Sequence, residues 1–278
     1  MTSAVAVSGW SAFVPGFASL ADWLASRPSA EHDAPKGVLV PVRDRRRASP
    51  LSRALADAYA GAVERAGVDP KQIASVFGSA LGEVSTMIGL LDQMWSDGTP
   101  LSPMKFATSV HNAASGMISI ATGNRGFTTS LGADYDTPAM ALLEGIALVQ
   151  STGLDVVVCC GDETPPENLV PANTAWSLLS VAVVLSPLEQ AKAGAFRLSD
   201  FGLAPEVDAP PDALAPPTMS IGLARNPNVG LLDLAIALER ALECALERPL
   251  EVGLESRVRL DRGRGRGYSV CIKTTRST

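Results

Sequence analysis

Residues 106–163 read FATSVHNAASGMISIATGNRGFTTSLGADYDTPAMALLEGIALVQSTGLDVVVCCGDE and predict most of the architecture of this chain. Their pattern predicts a helix, a strand, a sharp turn, a buried helix and a second strand. At the turn, Gly132-Ala133-Asp134-Tyr135-Asp136 connects a strand directly to an apolar helix. In α/β enzymes such a turn presents a nucleophile, because free N–H groups at the start of the helix can bind an oxyanion beside it. Here the tip is Tyr135 between two carboxylates, so the geometry of a nucleophile site is predicted without a conventional nucleophile.

The composition is that of a folded protein with an aliphatic core. The 278 residues are 46% hydrophobic, 19% charged and only 5% aromatic. This length fits one large domain, or one domain with a smaller appendage. The net charge of −6 argues against a role in nucleic-acid binding.

The sequence also argues against a membrane span and a metal site. No apolar run approaches the roughly 20 residues that a spanning helix needs, and the amino terminus lacks the pattern of a signal peptide. We therefore predict a cytoplasmic protein. Cysteines 159, 160, 244 and 271 have neither metal-ligand nor redox spacing, so we expect buried thiols, no metal and no cofactor.

Apolar periodicity predicts the remaining elements of the first 203 residues. Further strands are expected at residues 4–9, 73–81, 155–160, 176–185 and 195–203. Helices are expected at residues 50–66, 82–95, 112–121 and 136–151. The first of these helices has a clear start, with Ser49 as N-cap and Pro50 at the first helical position. The last is apolar nearly all round, which is typical of a helix buried between layers.

The character of the sequence changes at residue 204. Six prolines between residues 204 and 229 predict a linker or an irregular crossing. Beyond it we expect a helix at 231–246 and two strands at 250–260 and 268–273. Between those strands, Arg262–Gly267 repeats Arg-Gly. That repeat fits a hairpin turn better than an RNA-binding tail, because it lies between two alternating runs in an acidic chain. The predicted units are residues 1–203, 204–229 and 230–278.

This order of elements resembles the amino-terminal half of the thiolase fold, as used by β-ketoacyl synthases. The matching motifs are RRRASPLSR at 45–53, Asn112 followed by Gly116, Gly123 and Gly126 with Ser130, and the strand at 155–158 followed by Gly161-Asp162-Glu163. The segment Ser109-Val110-His111-Asn112-Ala113 is most similar to short chain-length-factor-like proteins of aryl-polyene and related type II polyketide pathways. The resemblance covers about residues 1–203. It implies an α/β, thiolase-like fold with a complete amino-terminal half and a strongly reduced carboxy-terminal half.

The chain departs from the synthase pattern where catalysis would occur. The resemblance places Tyr135, or a direct neighbour, where a synthase has its catalytic cysteine, with Asp134 and Asp136 on either side. A condensing synthase also needs two histidines, whereas His32 and His111 lie outside anything like the family's carboxy-terminal histidine motifs. A tyrosine has a pKa near 10, and neighbouring carboxylates disfavour the phenolate further. We therefore expect a vestigial nucleophile position and no catalytic residue.

Other polar residues have two interpretations each. His111 could be a base, but at a helix start it fits better as a hydrogen-bond partner of backbone at a dimer interface. Cys160 ends a buried strand, which favours inert packing over nucleophilic chemistry. Asp162 and Glu163 could form an acid–base pair, although the family's Gly-x-Glu implies that they tie down neighbouring backbone.

The resemblance implies a non-catalytic subunit that pairs with a catalytic ketosynthase, as a heterodimer or a heterotetramer, and shapes its acyl-chain tunnel. The tunnel residues would be Met87, Leu90, Leu91 and Met94. The dimer interface would include Phe106, Val110, His111, Asn112, Thr129 and Leu131. Arg45, Arg46, Arg47 and Arg53 would contact the partner or, transiently, an acyl carrier protein, unless they only solvate a helix entrance. Missing layers in the second half should leave apolar surface for a partner to cover.

Two other functions stay open. The chain could be a stand-alone acyl-thioester enzyme, either a hydrolase or a decarboxylating initiator, in which Asp134, Tyr135 or Asp136 polarises the substrate. It could also be a free-standing acyl-binding scaffold.

Overall fold

The computed structural model describes residues 4–96, 99–191, 195–203, 219–247 and 255–274. The strands are β1 Val5–Phe13, β2 Ala74–Gly78, β3 Thr128–Leu131, β4 Val156–Asp162, β5 Leu179–Ser186, β6 Phe196–Leu203, β7 Glu255–Arg259 and β8 Tyr268–Thr274. The helices are α1 Leu20–Leu24, α2 Val42–Arg45, α3 Pro50–Ala66, α4 Val84–Ser96, α5 Pro103–Ala107, α6 Ala113–Thr122, α7 Thr137–Thr152, α8 Ile221–Arg225 and α9 Val229–Glu247. Short 3₁₀ turns occupy residues 30–32, 134–136 and 188–190.

The described strands form one mixed sheet in the order β3-β2-β4-β5-β1-β6-β8-β7. Strand β2 pairs in parallel with both β3 and β4, so that Val76 lies beside Thr129 on one side and Val158 on the other. The other pairings are antiparallel. Strand β3 lies at one end of this order, and its outer backbone edge has no strand partner among the described residues.

Helices cover both faces of the sheet, which explains the continuous apolar runs in the central strands. In β4, Val156, Val158 and Cys160 belong to a core that includes residues of α7 and α9. The alternate residues Val157 and Cys159 belong to a second core with α3 and α6. Successive side chains of a strand point to opposite faces, so one short strand supplies both cores.

Helix α9 packs against four strands of the sheet. It contacts β5 and β1 as well as β7 and β8, and Leu231, Leu234 and Leu238 are fully buried. At its start the backbone of Leu260 comes so close to Gly230 that a Cβ atom there would collide with it. Helix α9 and the strands β7 and β8 therefore complete the same core.

Several sequence predictions are confirmed. Ser49 caps α3 by accepting a hydrogen bond from the Ser52 backbone N–H at 2.8 Å, and Pro50 is the first helical residue. Strands β7 and β8 pair antiparallel around residues 260–267, so the Arg-Gly repeat is a hairpin connection and the alternative of an RNA-binding tail is wrong.

Other predictions need correction. The first strand continues to Phe13 because it pairs with β5 along this length. The strand expected at 176 begins at Leu179, since the Trp176 indole instead donates to the Glu163 carbonyl at 2.9 Å.

The end of the predicted linker is structured. Residues 221–225 form α8, Asn226 and Asn228 are fully buried, and α9 begins at Val229. Residues 204–218 lie outside the described residues, as do 250–254 of the strand expected at 250–260. The limits of the three predicted units stay a prediction.

None of the described helices combines the length and apolar character needed to cross a membrane. The cytoplasmic location expected from the sequence stays a prediction.

Candidate functional site

The elbow, which we define as residues 132–137, connects β3 to α7 as the sequence predicts. Asp134 adopts a left-handed backbone conformation with φ of 52°, and residues 134–136 form a 3₁₀ turn before the helix. The Ala133 N–H donates to the Thr137 hydroxyl at 2.9 Å, and the Asp136 N–H donates to the Ala133 carbonyl at 2.9 Å. Both N–H groups are therefore used within the elbow, whereas an oxyanion site would need free donors there.

The Arg-Gly hairpin lies over this elbow. The Arg264 guanidinium lies 5.4 Å from the centre of the half-buried Tyr135 ring. The Asp136 carboxylate accepts a hydrogen bond from the Arg266 backbone N–H at 2.8 Å and lies 3.7 Å from the Arg266 side chain. The two segments are 130 residues apart, and the sequence analysis did not predict their contact. The only signal was a run of arginines late in the chain and a pair of carboxylates in its middle.

The hairpin is held in shape by one buried carboxylate. Asp261 accepts hydrogen bonds from the N–H groups of Gly263, Gly265 and Gly267 at 2.7–3.0 Å, and from the Arg259 side chain at 2.6 Å. Burial works to raise the pKa of Asp261, but these hydrogen bonds and the charge of Arg259 outweigh it and hold that pKa below its ordinary value.

A buried ion pair anchors the hairpin to α9. The Arg262 guanidinium contacts both carboxylate oxygens of Asp233 on that helix, and both side chains are only 5% exposed. The Asp261 hydrogen bonds and this ion pair thus fix the position of the hairpin over the elbow.

The candidate nucleophile and base have ordinary structural surroundings. Cys159 and Cys160 are fully buried, and burial raises the pKa of both thiols. The His111 ring donates from Nε2 to the Ser79 carbonyl at 2.8 Å, which confirms its predicted hydrogen bond to backbone. Its place at a dimer interface stays a prediction.

Asp162 and Glu163 tie down the loop that follows β2, as predicted. Asp162 accepts from the Ser79 hydroxyl, from the Ala80 and Leu81 N–H groups, and from the Asn228 amide at 2.5–2.9 Å. Burial raises the pKa of Asp162 despite these hydrogen bonds, and it raises that of Glu163 as well. Glu163 accepts from the Ser85 N–H at 2.8 Å, so both carboxylates hold backbone in place.

Another buried carboxylate, Glu83, was missed by the sequence analysis. Its Oε1 accepts from the hydroxyls of Ser49 at 3.0 Å and Ser52 at 2.5 Å. Its Oε2 is buried without a hydrogen-bond partner among the described residues. Glu83 lines a cleft of about 570 Å³ between the start of α3, α4 and α5, which we call the Glu83 cleft.

The predicted tunnel residues do not lie together. Leu90 is only 5% exposed and lines the Glu83 cleft. Met87, Leu91 and Met94 are 40–53% exposed and are not part of its lining. Helix α4 therefore has one side toward the cleft and one apolar side left open.

The predicted interface residues lie in two segments, one from α5 to the residue before α6 and the other on β3. Phe106, Val110, His111 and Asn112 are exposed, and Thr129 and Leu131 on β3 are half-buried. A second cleft, of about 640 Å³, is lined by Val110 and Asn112 together with residues of α5 and α6.

The structure divides the four predicted docking arginines. Arg46 and Arg47 are exposed and line the Glu83 cleft. Arg45 instead donates to the Val40 carbonyl at 2.8 Å, and Arg53 donates to the Ser49 carbonyl at 3.5 Å. Only the first two are available to a ligand or partner without breaking a contact within the chain.

Comparison with known proteins identifies the fold. A family model described as the amino-terminal domain of β-ketoacyl synthases matches residues 21–212. A chain from the ketosynthase ApeO in complex with its chain length factor ApeC, from Xenorhabdus doucetiae, is 19% identical with a TM-score of 0.64 over 97% of this chain and 98% of that one. The ishigamide ketosynthase/chain length factor gives 15% identity and a TM-score of 0.67 over 97% and 98%.

A third similar structure is AntDE:AntF, a type II polyketide acyl-carrier protein in complex with its ketosynthase. A chain of it is 12% identical, with a TM-score of 0.72 over the whole of both chains. No curated protein sequence matches this chain. The structural likenesses confirm the predicted thiolase-like ketosynthase fold.

Proposed function

Because the chain belongs to the β-ketoacyl synthase family, we propose that it is a non-catalytic, chain-length-factor-like subunit that pairs with a catalytic ketosynthase. The observation that carries this proposal is the elbow. Its tip is Tyr135, its N–H groups at Ala133 and Asp136 are bonded internally, and the Arg-Gly hairpin lies over it. An elbow arranged in this way supports an inherited structural role better than acyl transfer.

The β3 edge supports the proposed partnership. An unpaired sheet edge is a template for pairing with another chain unless it is covered. Phe127, next to β3 in the chain, and Ile120 on α6, which packs against β3, are 55% and 84% exposed. Met104, Phe106 and Val110, between the start of α5 and α6, are 38–61% exposed. Large exposed apolar side chains of this kind are typical of an interaction surface. The proposed partner is a ketosynthase that contributes the corresponding edge, as a heterodimer or a pair of heterodimers.

The product would be a polyketide, the class that the AntDE:AntF structure names, or a fatty-acid-like chain. Helix α4 would help to form the acyl-chain tunnel, with Leu90 on its cleft side and Met87, Leu91 and Met94 toward the partner. Overfilling a packed pocket costs about 1–3 kcal/mol, which is enough to bias chain length. An acyl carrier protein would dock transiently near Arg46 and Arg47, the two free members of the arginine group.

Co-expression with the cognate ketosynthase tests the partnership. We expect the two chains to copurify in equal amounts and product to disappear when this chain is omitted. Phe106→Glu should break the complex, because Phe106 is 61% exposed at the proposed interface. Leu246→Glu is the matched control, since Leu246 is 74% exposed on α9 and lies outside that interface. A monodisperse chain on its own, with product unaffected by its removal, would refute the proposal.

A further inference from the structure

The Glu83 cleft has the composition of a ligand site. Its lining joins residues of the α3 entrance, α4 and α5, and its volume of about 570 Å³ lies within the range of small-molecule pockets. Its lining includes the apolar side chains of Leu90, Met104 and Met117 as well as charged and hydroxyl groups. Such a mixture suits a small molecule with a charged group and an apolar part.

Three cationic side chains line the cleft. Arg46 and Arg47 precede α3, and Lys105 comes from α5 on another side. All three are exposed, and within the described part of the chain none of their side chains forms an ion pair or hydrogen bond. In a chain of net charge −6, this local excess of positive charge favours an anion.

Glu83 adds a polar group that needs a partner. The residue is 3% exposed, and its Oε2 has no hydrogen-bond partner among the described residues, although Ser49 and Ser52 donate to Oε1. A buried polar atom without a partner costs about 1–3 kcal/mol. Burial is the main cause that raises the pKa of Glu83, and the nearby Glu163 adds to it. A protonated Glu83 can donate to an anion.

We propose that the Glu83 cleft binds a phosphate ester, with Arg46, Arg47 and Lys105 around the phosphate and Glu83 hydrogen-bonded to the ligand. A phosphate fits better than a carboxylate because three cations can share its larger charge, and arginine donates two parallel hydrogen bonds to it. The ester could be a free molecule or could be tethered to a carrier protein. Only the tethered source rests on the proposed function.

Titration with inorganic sulfate tests the site in the full-length chain, in complex with its ketosynthase where the two copurify. Sulfate keeps the same charge between about pH 5 and pH 8, so any pH dependence comes from the protein. The affinity for sulfate should fall as the pH rises through the raised pKa of Glu83, because ionised Glu83 repels the anion. Arg46, Arg47 and Lys105 share the lining of the cleft with Glu83 and stay charged over this range, and Glu163 is the charged group that adds to the rise in the Glu83 pKa.

Variants assign the binding to this cleft. Glu83→Gln should bind sulfate with little pH dependence, because its amide donates at every pH. Arg46→Ala with Arg47→Ala should lose at least tenfold in affinity. Gly89→Leu should narrow the cleft, since Gly89 lines it and a Cβ added there meets nothing within 4 Å. Arg43→Ala is the control, because Arg43 pairs with Asp44 at the surface and does not line the cleft.

Competition then identifies the source. If free 4′-phosphopantetheine displaces sulfate, the ligand is a free phosphate ester. If a carrier protein displaces sulfate only when 4′-phosphopantetheine is attached to it, the ligand is the tethered ester. Absence of saturable sulfate binding, equal binding by the double arginine variant, or no competition by either ester would overturn the proposal. None of these results depends on whether Phe106→Glu breaks the complex.

Discussion

The elbow and the Glu83 cleft differ in whether their polar groups have partners within the chain. At the elbow, Ala133 and Asp136 bond within the turn, and Arg264 and Arg266 of the hairpin contact the tip. In the cleft, Glu83 Oε2 is buried without a partner and the cations around it are free within the described residues. Buried polar groups in proteins are generally paired, so an unpaired one needs an explanation. The comparison shows that the polar groups of the elbow are paired within the chain, whereas Glu83 Oε2 in the cleft has no partner among the described residues.

The largest effect is expected from the carboxylate that shapes the hairpin over the elbow. Asp261→Ala removes an acceptor from three backbone N–H groups and from Arg259, and should lower the free energy of unfolding by about 3–5 kcal/mol. Urea unfolding measures this change. Asp44→Ala is the control, because that carboxylate contacts Arg43 at the surface and should contribute less than about 1 kcal/mol. Equal losses in the two variants would mean that the hairpin does not close the elbow as a fixed element.

The second prediction is that the hairpin and the cleft contribute to stability in opposite pH ranges. The pKa of Asp261 is lowered on folding, so its contribution to stability is present above its ordinary pKa and is lost as the pH falls through the folded value. The pKa of Glu83 is raised, so its contribution is present below the ordinary value and is lost as the pH rises through the folded one. Asp162 and Glu163 act in the same direction as Glu83.

Unfolding measured between about pH 3 and pH 8 should therefore show a loss below about pH 4 and a gradual decline above about pH 5. Asp261→Asn should remove most of the first and leave the second. If the Asp261→Asn variant still loses stability below about pH 4, another group is responsible for that loss.

The third prediction concerns the unpaired oxygen of the cleft. Glu83→Gln keeps the acceptor for Ser49 and Ser52 and removes a buried charge, so it should raise stability at neutral pH by about 1 kcal/mol. The gain should shrink toward about pH 4, where Glu83 is already protonated. Calorimetry at both pH values measures it. If the variant is less stable at neutral pH, the Glu83 carboxylate is ionised and its Oε2 has a hydrogen-bond partner in solution. That result would contradict the unpaired Oε2 seen in the structure.

Much of the fold could be predicted from sequence because its signals are local. The alternation and helical periodicity within residues 106–163 predict β3, α7 and β4, and Ser49 with Pro50 marks the start of α3. The elbow itself was equally visible, because a strand that runs directly into an apolar helix is a local pattern; the assignment of Tyr135 to the nucleophile position stays a prediction.

The polar contacts between distant segments could not be predicted. Asn226 and Asn228 follow a Pro-rich stretch that is typical of a linker, yet their amides bond Asp162 and the backbone near it. Glu83 reaches Ser49 and Ser52 across more than 30 residues, and nothing in their spacing indicates it. Periodicity reports which face of an element is buried, but it carries no information on which polar group meets another across the core.

The smallest effect is expected where the hairpin touches the tip of the elbow. Arg264→Ala removes an exposed cation from the Tyr135 ring and should cost less than about 1 kcal/mol in stability. It should nevertheless raise the rate at which Tyr135 is nitrated, because the ring loses its cover. Arg266→Ala is the matched control: it removes the same charge from the same loop but keeps the backbone N–H that bonds Asp136. Peptide mapping measures both rates, with Tyr268 as an internal reference. If the two variants expose Tyr135 equally, Arg264 does not cover the tip and the contrast between a filled elbow and an open cleft is weaker than the geometry indicates.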